Sequence, residues 1–289
     1  YGYINVKRVI GVPGDRIKIV DGDVYIGGEK LIENINVEKM TTAGLAEEEL
    51  VLDENEYFDT MKRCLYMEEL LNRHEAIMNK YDPQKKVSLV VDEWGIWTDV
   101  EPGTNPGFLY QQNSMRDALV AGTTLNIFNN HSDRVRMANL AQAINVLQSL
   151  VLTNKEKMLL TPTYYIFDMY KVHQDALLLP TTIDAGNYIN ENESIPSLNV
   201  SASKDENGCV HVSIVNLHST EKIHTLIDMK NEKKKVVSAK LLTSKLYNDC
   251  NTFENPSKVV PLSYGEYKVT KEGVEVQLPP LSVVVLEMK

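Results

Sequence analysis

The hydrophobic period of this chain changes twice, and that constrains its fold more than any single motif. From Tyr1 to about Phe58 the runs are short and alternating: "INVKRVIGV", "RIKIV" and "VYIGG" are separated by the turn strings "PGD" and "DGD". Alternation of apolar and polar residues marks a half-buried strand. A hairpin turning at Asp21-Gly22 places Ile17, Ile19, Val24 and Ile26 on one face. From Asp59 to about Asp175 the period lengthens. "DTMKRCLYMEELLNRHEAIMNKYDP" spaces Met61, Cys64, Leu65, Leu71, Met78 and Tyr81 for a helix N-capped by Asp59 and ended by Pro83. A buried strand at Val87 to Asp92, a helix around Ser114 to Asn129 and a second strand in "DRVRMANLAQ" follow. Pro162 to Gln174 then reads as a helix with Thr161 as N-cap. Such alternation predicts parallel strands. Beyond about Ile183, "SLNVSAS", "CVHVSIVNL", "KIHTLIDM", "VVSAKLLT", "YKVTKEGVEVQL" and "LSVVVLEM" predict an all-β sandwich, with "KNEKKK" as a solvated hairpin turn. The expected class is α/β plus all-β, in three regions: a small β segment (1–58), an α/β piece (59–182) and the sandwich (183–289).

The stretch "VSLVVDEWGIWTDVEPGTNPG", which begins at Val87, concentrates the chemistry. An apolar, β-branched run bounded by a Gly/Pro-rich loop reads as a strand covered on both faces. This one ends on Asp92 and Glu93, at the strand end where α/β folds place their active groups. A helix N-cap is the structural alternative for such an acid pair. The net charge of −10 excludes a polyanionic partner, whether nucleic acid or anionic membrane, and favours a neutral substrate. The three cysteines are widely spaced and odd in number, which suggests neither a disulfide framework nor a zinc site and places the chain in a reducing, cytoplasmic setting. No run reaches the roughly eighteen apolar residues of a spanning helix. His74, His131 and His173 lack metal-ligand spacing and read as surface or packing residues.

From Asp92-Glu93 onward the string "VVDEWGIWTDVEPGTNPGFLYQQNSMRDALVAGTTLNIFNNHSDRVRMANLAQAINVLQSLV" closely resembles the α-L-arabinofuranosidases of glycoside hydrolase family 51. The likeness covers the C-terminal half of their catalytic domain, from about Asp59, and continues through "YNDCNTFENP" and "VQLPPLSVVVLEM" to Lys289. It implies a partial (β/α)8 barrel carrying strands seven and eight, followed by a jelly-roll-like β-sandwich. It also implies a retaining glycosidase without metal or cofactor, releasing terminal non-reducing α-L-arabinofuranosyl residues from arabinan- or arabinoxylan-type glycans. Such a reaction uses two carboxyls roughly 5–5.5 Å apart, one as nucleophile and one as acid/base. On this resemblance Glu93 is the nucleophile, Asp92 its hydrogen-bonding support, and Trp97 a wall of the sugar subsite. Asn139 and Gln142, in the eighth strand, and Tyr164, beside Tyr165, are further subsite candidates; for the tyrosines a core role is the alternative.

The first region tells another story. "YINVKRVIGVPGDRIKIVDGDVYIGGEKLIE" followed by "LVLDENEYF" resembles type I signal peptidase, with Lys7 at the position of that family's general-base lysine. A lysine serves so only when desolvation lowers its pKa. The serine motif that it would activate has no counterpart here, so Lys7 reads as a relic. The arabinofuranosidase acid/base glutamate, expected upstream after an asparagine, has none either. Asn55-Glu56 has the dipeptide but lacks an apolar strand before it. The expectation is therefore an arabinofuranosidase-type chain impaired by the missing half of its barrel. A non-catalytic β-rich scaffold and a signal peptidase remnant are the alternatives. Uncovered apolar faces at Val90 and Leu140 predict a homo-oligomer.

Overall fold

A computed structural model describes residues 17–20, 23–26 and 29–30 as backbone strands, and residues 53–229 and 235–289 in full. Lys7 and most of "KNEKKK" lie outside the described residues. Strands β1 (Ile17–Val20), β2 (Asp23–Ile26) and β3 (Glu29–Lys30) form a small antiparallel sheet, with Val20 opposite Asp23 as the expected hairpin requires.

Helix α1 (Glu54–Tyr81) begins six residues earlier than expected. Asp53, not Asp59, is its N-cap: the backbone there is extended and the carboxylate accepts the Asn55 N–H at 2.9 Å. Glu54 and Glu56 in the first turn suit the positive end of the helix dipole. The early start follows from tertiary packing. Tyr57 and Phe58 are fully buried; Tyr57 stacks on Tyr247 and donates to the Leu217 carbonyl at 2.8 Å, while Phe58 meets Tyr188 edge-on. The helix thus runs through the 58/59 boundary drawn from the sequence. Met61, Cys64 and Leu71 are buried as their spacing requires, but Tyr81 points to solvent.

Strand β4 (Leu89–Trp94) pairs in parallel with β5 (Val135–Leu140), and α2 (Met115–Asn130) connects them. The buried Arg134 ties this unit to α1: its guanidinium donates to the Asp82 carboxylate at 2.7 Å and to the carbonyls of Val87 and Asp82 at 2.7 and 3.0 Å. Strands β6 (Val151–Asn154) and β7 (Lys157–Leu160) make a hairpin that the sequence reading did not contain. Helix α3 (Pro162–Tyr170), capped by Thr161, ends in a 3-10 turn at Lys171–His173, just short of Gln174. Val90 and Leu140 are half-buried and Met137 is exposed; among the described residues, β4 and β5 have no strand partners but each other.

The sandwich begins before Ile183, at β8 (Leu177–Leu179). It continues through a hairpin of β9 (Asn187–Asn190) and β10 (Glu193–Pro196), then β11 (Leu198–Lys204), β12 (Val210–Asn216), β13 (Ile223–Asp228), β14 (Val236–Thr243), β15 (Leu262–Ser263), β16 (Tyr267–Val269), β17 (Gly273–Leu278) and β18 (Ser282–Met288). One sheet has the order β15-β14-β18-β12-β11-β8 and the other β13-β17-β16. Every residue of β12 is buried. Along β12 and β18, Val212, Ile214, Val284 and Leu286 face the second sheet, whereas Val215, Val283 and Val285 join the core under the helices. Period-2 alternation produces this division, one strand serving two cores.

Helix α2 lies on the helical face of that sheet. At Gly122 an added Cβ would stand 3.2 Å from the Tyr170 hydroxyl and 3.2 Å from a Val215 methyl, so the glycine permits the close approach. Asn126 and Asn130 donate to the carbonyls of Asn199 and Val200, and Asn129 donates to the Ser201 hydroxyl. At the far end of α2, His131 sits between two acids of α1, 2.7 Å from Glu75 and 2.9 Å from Glu68.

Two outcomes are expected. Leu242→Ala and Leu286→Ala remove fully buried side chains from the two faces of one sheet. Each should cost about 2–5 kcal/mol in urea denaturation, because each leaves a cavity in a separate core. For His131, burial pulls the pKa down, but the hydrogen bonds and charges of Glu68 and Glu75 outweigh it and hold the pKa above its ordinary value. A group raised on folding stabilises fully below its unfolded pKa of about 6.5 and loses that contribution as pH rises through the folded value. The stability advantage of wild type over His131→Gln should therefore shrink as pH rises above the unfolded value of about 6.5 in urea titrations. An advantage that grew with pH would contradict the pairing.

Candidate functional site

The site grows from an irregularity in β4. Val91 stands opposite Ala138 and Trp94 opposite Leu140, three steps against two, which is a β-bulge. Val91 and Trp94 consequently both turn inward, while Asp92 is exposed and Glu93 half-buried. Trp94 anchors the strand end under the helices, edge-on to Phe128 at 5.5 Å and stacked on Phe167 at 6.1 Å. Beyond it the chain opens a small, shallow cleft that is partly open to solvent. Glu93 and Trp97 both line it, together with Ala141 and Leu147.

Two buried glutamines hold the loop that carries Trp97. Gln111 donates to the Ile96 carbonyl at 3.1 Å and accepts the Thr98 N–H at 2.9 Å, so its amide brackets Trp97 from both sides. Asn113 fixes Gln111 in turn, donating to the carbonyls of Gln111 and Leu147 at 3.1 and 3.3 Å. Gln148 lies beneath Gly95, where φ is +136° and a Cβ would come within 2.7 Å of the Gln148 Cγ. Glycine is required there both for the backbone angle and for the space. The Gln148 amide donates to Asp117 at 3.0 Å, and the other oxygen of Asp117 accepts the Ser114 N–H and hydroxyl at 2.6 and 2.7 Å. The floor of the cleft is thus bonded to the first turn of α2.

The structure brings together Glu93 and Trp97 but not the remaining candidates. Asp92 precedes Glu93 on the exposed side of the strand, Asn139 is exposed on β5, and neither is among the residues that line the cleft. Tyr164 sits in the first turn of α3, half-buried, its ring edge-on to Tyr165 at 5.6 Å. Asn55 and Glu56 belong to the first turn of α1: Asn55 accepts from Asn190 at 2.6 Å, and Glu56 is 3.7 Å from Arg116. Gln111, Asn113, Asp117 and Gln148 were missed by the sequence reading. Only the Ser114/Asp117 spacing, that of a capping box, carried a signal; "YQQNS" has the composition of a solvated loop.

The fold has counterparts. The family described as alpha-L-arabinofuranosidase C-terminal domain matches residues 92–282, well over half of the chain. That described as signal peptidase, peptidase S26, matches residues 3–87, which include α1. An intracellular exo-alpha-L-arabinofuranosidase of Bacteroides ovatus is 43% identical over 238 residues, 82% of this chain and 46% of that protein. An intracellular exo-alpha-(1->5)-L-arabinofuranosidase of Bacillus subtilis is 24% identical over 74% of this chain and 45% of its own length. The crystal structure of the GH51 arabinofuranosidase from Xanthomonas axonopodis pv. citri superposes with a TM-score of 0.80 at 43% identity, covering 83% of this chain and 48% of the other. The chain spans about half the length of the relatives that it matches. With its partial barrel, two-sheet sandwich and a family match that starts at Asp92, the chain belongs to the glycoside hydrolase family 51 α-L-arabinofuranosidases, over their C-terminal domain.

Proposed function

We propose that this chain contributes the nucleophile half of an arabinofuranosidase site, with Glu93 attacking the anomeric carbon of a terminal α-L-arabinofuranosyl residue and Trp97 walling the subsite. The single observation that carries the proposal is that Glu93 and Trp97 line one cleft at the carboxyl end of a parallel strand. A carboxylate on a rigid strand end is held at a fixed distance from a bound sugar, and an apolar ring suits the C–H face of a furanose. Asp92, beside the nucleophile, has the place of a support. The names of the relatives favour an arabinofuranosyl glycan as substrate, and the word "intracellular" in two of them agrees with a cytoplasmic setting.

Retention of configuration needs a second carboxyl about 5–5.5 Å from the first to protonate the leaving oxygen. Among the described residues that line the cleft, Glu93 is the one carboxylate. With no acid at hand, an alkoxide leaving group departs poorly, whereas an activated aryl group needs no proton. The 289-residue chain should therefore release nitrophenol feebly from an aryl α-L-arabinofuranoside and leave arabinan uncleaved, and Glu93→Gln should abolish the feeble rate. Robust turnover of arabinan would show that another acid reaches the cleft; aryl cleavage unaffected by Glu93→Gln would remove Glu93 from its role and favour the non-catalytic scaffold. The loop makes a separate expectation. Gln111→Leu strands the Thr98 N–H and the Ile96 carbonyl, at a cost of about 1–3 kcal/mol for a buried group left unsatisfied. Urea denaturation should show that loss. Tryptophan emission should shift to the red as Trp97 gains solvent, whereas unchanged emission would separate the Gln111 clamp from the subsite wall.

A further inference from the structure

The turn between β11 and β12 gathers three different metal-binding side chains far along the chain from the cleft. Asp205, Cys209 and His211 bring a carboxylate oxygen, a sulfur and a ring nitrogen within 4.8 Å of one another; among the described residues no other group of three or more His, Cys, Asp or Glu is so placed. The local fold explains the gathering. Ser203 pairs with His211 and Lys204 with Val210, so the hairpin closes at Asp205. One oxygen of Asp205 accepts the N–H groups of Asn207 and Cys209 at 2.9 and 2.8 Å, which leaves the other facing the imidazole. Cys209 comes just before β12 and His211 is the second residue of that strand, so the pair, two positions apart, brings its side chains to the same end of the hairpin as Asp205.

The state of His211 is the second observation. The residue is 4% exposed, yet its Nδ1 has no hydrogen-bond partner. Nε2 lies 3.6 Å from Asp205 Oδ2, and Nδ1 lies 3.8 Å from Glu287 Oε2 on the neighbouring strand β18, both too long for hydrogen bonds. A buried imidazole flanked by two carboxylates, neither in contact, is arranged as a metal-bound histidine is: one nitrogen toward the ion, the other donating its proton to an outer carboxylate.

We propose that Asp205, Cys209 and His211 bind one zinc-class divalent cation, with water as fourth ligand and Glu287 receiving the Nδ1–H of His211. Sulfur and imidazole together select zinc over magnesium or calcium, which prefer all-oxygen shells. Zinc holds such atoms at about 2.0–2.3 Å, so the three ligands close by roughly an ångström around it. Binding replaces the thiol S–H bond of Cys209 with an S–metal bond and releases the proton to solvent. The ion clips the β11–β12 hairpin to β18, at the end of the sheet that carries both cores.

The test uses cobalt(II) as a spectroscopic substitute on the whole 289-residue chain, first freed of metal by a chelator. A thiolate-to-cobalt charge-transfer band should grow to saturation at one equivalent and disappear when zinc is added. Cys209→Ser, a nearly isosteric change, should abolish the band, and Cys64→Ser with Cys250→Ser should leave it intact. Asp205→Asn keeps the acceptor for the turn's N–H groups while removing the charge, so the hairpin survives and affinity falls at least tenfold. Glu287→Gln should weaken binding about 10–100-fold. Absence of the band from wild-type protein shown to be folded by circular dichroism overturns the proposal. So does a band that persists in Cys209→Ser or depends on Cys64 or Cys250.

Discussion

The whole molecule depends on one sheet being buried on both faces. Strands β12 and β18 lie at its centre, and their alternate residues enter two hydrophobic cores, one with the second sheet and one with the three helices. A sheet covered on one side only would allow the α/β piece to move as a separate body. Here α1, α2 and α3 share their core with Val215, Leu217, Val283 and Val285 of the sandwich. The asparagines of α2 add directed bonds to β11, which fix where the helix sits as well as that it sits. The polar side of the sheet is satisfied in the same way: His173 bridges Ser203 and Ser213 at 2.7 and 2.6 Å, and burial, with His211 nearby, lowers its pKa to about 4, so it remains neutral.

From that platform the cleft inherits its rigidity. Helix α2 is held by the sheet; its first turn holds Asp117, Asp117 holds Gln148, and Gln148 fills the space beneath Gly95. Trp94 adds an apolar anchor on the other side of the strand. Glu93 and Trp97 are thus presented from a backbone fastened at both ends, which is the condition for a carboxylate to meet a sugar carbon at a fixed angle.

Helix α1 lies within the signal-peptidase family match but packs with the arabinofuranosidase-like body. The peptidase match runs to residue 87, through the helix, yet Tyr57, Phe58, Met61 and Leu71 are embedded in the core shared with the sandwich. In packing terms the helix belongs with the arabinofuranosidase-like body from its N-cap at Asp53 onward. The three-stranded sheet of β1 to β3 is the part of the peptidase-like region with its own local pairing.

The sequence by itself determined the order of periods, the parallel β4 and β5, the cap at Thr161, and all six long sandwich runs. These rest on near neighbours: alternation, helical spacing and turn residues act over a few positions. The family likeness singled out Glu93 and Trp97, which do share a cleft. Only the tertiary structure decided where α1 begins, because Tyr57 and Phe58 find partners some 130 to 190 residues away, at Tyr188 and Tyr247. It alone turned Gln111 and Gln148 from loop and strand-flanking polar residues into the frame of the cleft, and set the Glu287 carboxylate of another strand beside His211. A polar side chain has no sequence period when its partner is a backbone group or an acid on another element, so its role becomes visible only once the chain has closed on itself.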